Sequence, residues 1–263
     1  MNDLSLPPSR LPRLLHAVAR SVGFLAISLA AILDYALRFR GAPLIRRARW
    51  QQYWGRRFAW LFGLQIEVIG RIPRRGLIVA NHLSYVDILV LSAITPCVFV
   101  AKADVARWPV LGMLARIAGT IFIDRTRRQA VAGVNVRVEA AIRAGVGIVV
   151  FPEGTSSDGR TVLPFKASLL EPSCQAGCPL TPAALSYRLD GGSVEDEVCY
   201  WGDMVLLPHL FRLFQQRHIF ARVVFGETFQ QTASRKERAA ALREQIAQLR
   251  EPREKAEMAL IMI

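Results

Sequence analysis

Three short stretches of this 263-residue chain combine residue types that can do chemistry. The first is Asn81-His82-Leu83-Ser84-Tyr85-Val86-Asp87, which follows the apolar run at 77–80. Histidine is the side chain whose ordinary pKa suits general-base work near neutrality. A carboxylate partner fixes its tautomer and stabilises the imidazolium. On a regular helix, residues five apart point about 140° away from each other. Pairing His82 with Asp87 therefore requires a strand that ends at His82 and a helix whose first turn folds Asp87 back. The same letters also read as a capping box from Ser84 to Asp87, with His82 an ordinary loop residue. The second stretch is Phe151-Pro152-Glu153-Gly154-Thr155-Ser156-Ser157-Asp158-Gly159. A strand that runs into a Pro-Glu-Gly-Thr turn presents a carboxylate and several N–H groups at a sheet edge. There Glu153 could orient an acceptor hydroxyl, and the Gly154 region could donate to a developing oxyanion. The third is Gly119-Thr120-Ile121-Phe122-Ile123-Asp124-Arg125, where a strand-end Arg125 suits bidentate grip of a phosphate or carboxylate. Plain structural readings stand beside both: a common turn, and a helix start with a capping box at Thr126 and Gln129.

These residues need elements to position them. Apolar runs recur at 65–69, 77–80, 98–101, 120–123, 148–151, 180–185 and 220–225. Helical patterns separate several of them. The clearest places Val131, Val134, Val138, Ala141 and Ile142 on one face and stops at Gly145. This alternation predicts an α/β domain with a mixed, largely parallel sheet flanked by helices, whose site lies just beyond the carboxyl ends of strands. A capping box at Ser234 and Glu237 opens a charged helix that reaches about Arg250, and 258–263 is apolar. Four Cys are too few for a disulfide scaffold, and Cys174 with Cys178 lacks the His partners and spacing of a zinc site.

Composition adds a location. The chain carries a net charge of +13 together with 52% hydrophobic residues. That content excludes intrinsic disorder. The pairing of grease with positive charge suits a membrane surface better than a nucleic acid. Residues 1–66 hold ten Arg against Asp3 and Asp34, or +8 of the +13. The longest uncharged stretch there, 21–33, is 13 residues, short of the roughly 20 a bilayer-spanning helix needs. Two amphipathic helices are expected, about 11–38 and 43–62, broken near Gly41-Ala42-Pro43. They would lie in one leaflet with Arg at the headgroups and aromatic rings at the interface. Residues 1–62 then form a membrane-associating segment and 63–263 the catalytic domain with its terminal helix. A signal peptide and an ordinary core helix pair are the competing readings.

Taken in order, the three stretches resemble the signature blocks of the glycerophospholipid acyltransferases typified by bacterial 1-acyl-glycerol-3-phosphate acyltransferase. The N-H-x-x-x-x-D block is similar to 81–87, the G-x-x-F-I-D-R block to 119–125 and the F-P-E-G-T block to 151–155. A strand carrying Pro182 is similar to a fourth. The resemblance spans roughly residues 63–230. It implies the glycerolipid acyltransferase fold, with His82 as general base and Asp87 as the residue that orients it. The acceptor oxygen would attack an acyl thioester directly, with no acyl-enzyme. It further implies a substrate-binding set of Asn81, Lys102, Arg125, Glu153, Gly154 and Thr155. Acyl-CoA or acyl carrier protein would be co-substrate, with neither cofactor nor metal. The expected setting is the cytoplasmic face of the inner membrane, where an anionic surface and a lyso-lipid are the partners. Many phosphatidate-forming members continue F-P-E-G-T-R, whereas this chain has Ser156. The segment F-P-E-G-T-S-x-D-G is more similar to enzymes that acylate lyso-ornithine lipid. Phosphatidate synthesis, the family's commonest activity, stands first and lyso-ornithine acylation second.

Overall fold

The computed structural model describes residues 11–123, 128–170, 178–228 and 234–250. Its strands form one sheet in the order β1 (Leu64–Ile69), β7 (Ile219–Phe225), β6 (Leu180–Leu189), β2 (Gly76–Ala80), β5 (Gly147–Val150), β3 (Cys97–Lys102) and β4 (Ile121–Ile123). All neighbours are parallel except β6 and β7. Each expected apolar run falls on one of these strands. The largest difference is β6, which continues past residue 185 to Leu189. Strands β2 and β5 are buried at every position, as interior parallel strands covered on both faces should be. Because they are parallel neighbours, their carboxyl ends lie at one edge of the sheet. His82 and Glu153 follow directly from those two ends.

Helices cover both faces. On one face lie α5 (Arg128–Arg143) and α8 (Arg235–Arg250). There Val138, Ala141, Leu242 and Ile246 join Leu77, Val79 and Ile148 in one core. The expected capping box opens α8: Glu237 N–H donates to Ser234 Oγ at 3.4 Å, and Ser234 N–H donates to Glu237 Oε2 at 3.1 Å. The other face carries α1 (Leu11–Asp34), α2 (Leu44–Leu61), α3 (Val86–Ile94) and α7 (Leu206–Phe214), with the short α6 (Val194–Glu197) at its margin. The rings of Phe24, Phe58, Phe62 and Phe214 meet there at centroid distances from 4.9 to 6.3 Å. They belong to the same core as Ile66 and Ile78 of the sheet. The N-terminal hairpin and the residues after 63 thus share buried apolar surface.

The hairpin follows the expected bounds. After Asp34, α1 loosens into a π turn over Tyr35–Phe39, the chain reverses through Gly41, whose φ is +77°, and α2 starts after Pro43. A left-handed φ of this kind costs glycine almost nothing and a residue with a Cβ about 1 kcal/mol or more. Asp34 is held by Trp54 Nε1 at 3.0 Å and by Arg38 at 3.3 Å.

The arginines correct one expectation. Not all of them face headgroups. Arg20 donates to the carbonyls of Gln216 and Arg217 just beyond α7. Arg47 donates to Arg116 and Ile117, both at 2.8 Å, in the last turn of α4 (Leu111–Ala118). Arg56 reaches Ala93 O at 3.0 Å and Gln52 reaches Ile94 O at 2.9 Å, in the last turn of α3. The final carbonyls of a helix lack intrahelical donors and carry the negative end of its dipole. Arg47 and Arg56 therefore close helix ends on the sheet-bearing part of the chain, and Arg20 ties down the turn after α7. Their charge fastens the hairpin down.

Candidate active site

The strand β2 ends at Ala80, and the next residues are pinned one by one. Asn81 is 1% exposed. Its Nδ2 donates to Leu185 O at 3.0 Å, and its Oδ1 accepts from Leu185 N–H at 2.7 Å. The side chain thus extends the β2–β6 ladder by one rung. Asn81 was expected among the substrate ligands. Both of its polar atoms face β6 instead.

His82 follows, held from four sides. Its backbone N–H donates to Glu153 Oε1 at 2.7 Å. Its carbonyl accepts from Ser157 N–H at 3.0 Å and from Ser157 Oγ at 3.3 Å. Its ring stacks on Phe151 at 4.1 Å with 14° between planes. Its Nδ1 meets Asp87 Oδ2 at 2.8 Å. A carboxylate oxygen only accepts, so Nδ1 carries the proton and the Nε2 lone pair is left to take one.

Asp87 sits in the first turn of α3 and is wholly buried. Its Oδ2 also accepts the N–H groups of Leu83 at 2.7 Å and Ser84 at 3.0 Å, and its Oδ1 accepts from Tyr187 Oη at 2.5 Å. Only half of the expected capping box forms: Asp87 accepts the Ser84 N–H, but Ser84 Oγ makes no hydrogen bond among the described residues. The carboxylate caps the helix start and faces the imidazole. Tyr187 was not singled out from the sequence. It is 100 residues away, on the part of β6 beyond the apolar run.

The turn after β5 differs from expectation. Glu153 was expected at the acceptor's polar end, yet it is 2% exposed and turned into the protein. Its Oε1 takes the His82 N–H, and its Oε2 takes the Leu163 N–H at 3.0 Å. Burial pushes its pKa up to about 7, against the pull of those two donors and of the His82 ring. Gly154 has φ +73° and directs its N–H at Phe151 O, 3.1 Å away, which closes the turn. That donor therefore lies within the turn, although an oxyanion contact was expected of it. Thr155 is exposed, with its hydroxyl against Ser156 O at 3.4 Å. Lys102 ends β3 at the same edge of the sheet, but its ammonium is exposed and paired with Asp104 at 2.6 Å. Arg125 lies outside the described residues.

The loop that follows is tied in many places. Ser156 Oγ donates to Tyr200 O. Arg160 forks onto Glu195 at 2.9 to 3.2 Å and lies 3.7 Å from Asp158. From α8, Arg243 donates to Val162 O at 2.9 Å and Arg250 to Gly159 O. Cys97, Cys178 and Cys199 are free thiols buried in the core, and burial pushes that of Cys199 up to about 12, so none of the three is a thiolate nucleophile.

An apolar cavity of about 120 Å³ opens between the hairpin and the sheet. Phe24, Trp50, Phe58, Tyr85, Phe99 and Trp108 line it. Phe99 lies 6.3 Å beyond Phe151 and nearly parallel to it, so a file of rings runs from His82 to the cavity wall. Tyr85 is fixed by a buried histidine. Cys199 O can only accept from His209 Nε2, at 2.9 Å, so His209 Nδ1 accepts from Tyr85 Oη, also at 2.9 Å. Burial lowers the His209 pKa to about 4, which keeps that ring neutral.

Known proteins share this arrangement of sequence. The acyltransferase family profile matches residues 65–186. The lyso-ornithine lipid O-acyltransferase of Pseudomonas aeruginosa is 36% identical over 208 residues, 77% of this chain and 80% of its own. The 1-acyl-sn-glycerol-3-phosphate acyltransferase of Neisseria meningitidis is 35% identical over 153 residues, 58% of this chain and 60% of its own. The solved structure of the 1-acyl-sn-glycerophosphate acyltransferase PlsC from Thermotoga maritima has the same fold. It superposes with a TM-score of 0.55 at 19% identity and covers 90% of this chain and all of that one. The chain belongs to the acyltransferase family, and it is an enzyme of O-acyl transfer.

Glu153→Gln should lower turnover about tenfold, because an amide cannot accept from both His82 and Leu163 N–H. A carboxyl whose folded pKa is raised to about 7 from the ordinary 4.5 binds its proton more tightly when folded. Its contribution to stability is complete below that ordinary value and is lost as pH rises towards the folded one. Thermal unfolding of wild type between pH 4.5 and 7 should show this decline, and Glu153→Gln should flatten it. An equal slope in both proteins would contradict the buried placement of the carboxylate.

Proposed function

We propose that the chain transfers a fatty acyl group from an acyl thioester, acyl-CoA or acyl carrier protein, to the free hydroxyl of a lyso-lipid. The observation that carries this reading is the 2.8 Å pairing of His82 Nδ1 with buried Asp87, at a sheet edge beside an apolar cavity. In the mechanism, His82 Nε2 takes the acceptor's hydroxyl proton as its oxygen forms a bond to the thioester carbonyl carbon. The tetrahedral intermediate collapses, the carbon–sulfur bond breaks, and the leaving thiolate recovers the proton from the imidazolium. Asp87 holds the tautomer and offsets the imidazolium charge. General-base assistance of this kind contributes about 10²–10⁴-fold. The cavity suits an acyl chain, because its wall is made of aromatic and aliphatic side chains.

The acceptor we favour is lyso-ornithine lipid. Ser156 stands where many phosphatidate-forming members carry Arg, and its hydroxyl is turned onto Tyr200 O. Arg160, the next cation in the loop, is forked onto Glu195. The loop beside His82 thus offers compensated charge, which suits an amino-acid headgroup better than a phosphate. The relatives from Pseudomonas aeruginosa and Rhizobium meliloti, each matched over more than 70% of this chain, are named for that substrate. The Neisseria meningitidis relative supports lysophosphatidate as the second reading.

The setting we propose is one leaflet of the inner membrane, on the cytoplasmic face. One side of α1 is built into the core through Ala17, Arg20, Phe24 and Ala31. The other exposes Leu11, Leu15, Val18, Val22, Leu25, Leu29 and Leu33, a stripe at helical spacing. A helix fastened along its length to a folded domain cannot cross the bilayer without taking that domain with it. The stripe therefore lies along the surface, with Trp60 and Tyr53 of α2 exposed beside it.

Purified protein supplied with labelled acyl thioesters should acylate lyso-ornithine lipid at least about tenfold faster than lysophosphatidate, and His82→Ala should lose about 10²–10⁴ of that rate. Faster turnover of lysophosphatidate would promote the second reading. An unchanged rate in His82→Ala would remove the mechanism. Replacing Leu15, Val22 and Leu29 together by Gln should abolish co-sedimentation with anionic vesicles while the circular dichroism spectrum is retained. Undiminished sedimentation would contradict the surface placement of α1.

A further inference from the structure

Among the described residues, Tyr187 of β6 is the side chain that donates to the far oxygen of Asp87. Its hydroxyl donates to Oδ1 at 2.5 Å, while Oδ2 takes His82 Nδ1 and two backbone N–H groups. Three facts of the fold bring it there. The Asn81 side chain brackets both backbone groups of Leu185, which fixes how far β6 advances along β2. Successive side chains of a strand alternate in direction, so residue 187 points to the same face as residue 185. And β6 continues as strand to Leu189, which keeps Tyr187 on the pleat rather than in a loop. Burial and the nearby Asp87 carboxylate push the Tyr187 pKa well above its ordinary value, so the hydroxyl keeps its proton and acts only as a donor to Asp87.

We propose that Tyr187 is a positioning residue of the site: its hydrogen bond to Asp87 sets the orientation of that carboxylate and, through it, the proton affinity of His82. This rests on the reading of His82 as the general base. The physical link is direct. A donor on Oδ1 draws charge away from the carboxylate, and a less concentrated charge stabilises the imidazolium less. Without the hydroxyl, Asp87 holds His82 in its protonated form to higher pH, and a protonated imidazole cannot act as base. The carboxylate also loses the contact that stops it turning about its Cβ–Cγ bond, so Oδ2 is held to Nδ1 by the two backbone donors alone.

Other titratable groups near the dyad are Glu153, from the turn after β5, and Cys199, from the segment after α6. Among the described residues neither donates a side-chain hydrogen bond to Asp87, and neither is altered when Tyr187 is changed. A shift seen on changing Tyr187 is therefore carried by the Asp87 contact.

The test is Tyr187→Phe, which keeps the ring and removes the donor. With acyl-CoA and the better of the two lyso-lipid acceptors, kcat should fall about tenfold at neutral pH and KM should stay within about twofold. The acidic limb of kcat/KM against pH should move up by roughly half to one unit. A purely structural tyrosine would lower the melting temperature, or the amount of active enzyme, and leave that limb in place. An unmoved limb overturns the proposal. If turnover is too slow for a profile, the pH dependence of diethylpyrocarbonate modification of His82, read by mass spectrometry on its peptide, gives the same quantity. It should report a higher midpoint in the variant than in wild type, and an equal midpoint overturns the proposal. His82→Ala run in parallel separates this result from the underlying mechanism. If that variant is dead while the limb of Tyr187→Phe is unmoved, only the role of Tyr187 falls. If it is active, the general-base reading falls and the proposal with it.

Discussion

A carboxylate with no exposed surface is the constraint around which this structure is arranged. An ion of that kind, left without partners, costs several kcal/mol after all relaxation, and only close, well-directed donors offset it. Asp87 has four, drawn from two places in the sequence: the His82 ring with the backbone of Leu83 and Ser84, and the Tyr187 hydroxyl. Satisfying it brings the end of β2, the start of α3 and the later part of β6 together at one point. The imidazole is thereby aimed, its tautomer settled, and a buried negative charge placed against it.

The turn after β5 does the complementary work on the histidine's main chain. Glu153 receives the His82 N–H, Ser157 donates to its carbonyl, and Phe151 lies against its ring. The block that looks like a substrate cradle in the sequence is, in the folded chain, largely a clamp. Its own loop is steadied by α8 through Arg243 and Arg250, and by Glu195 of α6 through Arg160. The hairpin plays two parts as well. Its inward face builds the wall of the apolar cavity, closes the ends of α3 and α4 and ties down the turn after α7. Its outward face carries unsatisfied leucine and valine side chains. The exposed apolar stripe proposed to meet the membrane and the cavity proposed to take the acyl chain are thus two sides of the same pair of helices.

Much of this was legible in the residues because local chemistry and global fold agree. The apolar runs gave the strands, and Gly41 with Pro43 marked the hairpin break. Ser234 and Glu237 marked the start of α8. The spacing of His82 and Asp87 allowed a pairing across a strand end and a helix start, but it fitted a loop histidine beside a capping box as well, and only the resemblance of the three ordered blocks favoured the pair. The directions of Asn81 and Glu153 were not legible. Asn81 adjoins a histidine and Glu153 sits in a Pro-Glu-Gly turn, and only the three-dimensional path of β6 and of residues 82 and 163 shows that their partners are backbone groups. The inward arginines were hidden for a similar reason: an arginine on an amphipathic helix has the same letter whether it meets a phosphate or a helix end. Tyr187 was the least visible. It lies 100 residues from its partner, beyond the apolar run that marks its strand, and nothing nearby in sequence signals a buried acceptor.

The central claim is that buried Asp87 makes His82 a competent base, and one substitution isolates it. Asp87→Asn preserves size and most packing, but it removes the charge and replaces an acceptor oxygen with an amide donor. The rate of acyl transfer to the lyso-lipid, measured at saturating thioester on folded, vesicle-bound protein, should fall by roughly 10²–10⁴. A variant that binds vesicles, melts near the wild-type temperature and still turns over within a few-fold of wild type would contradict the account.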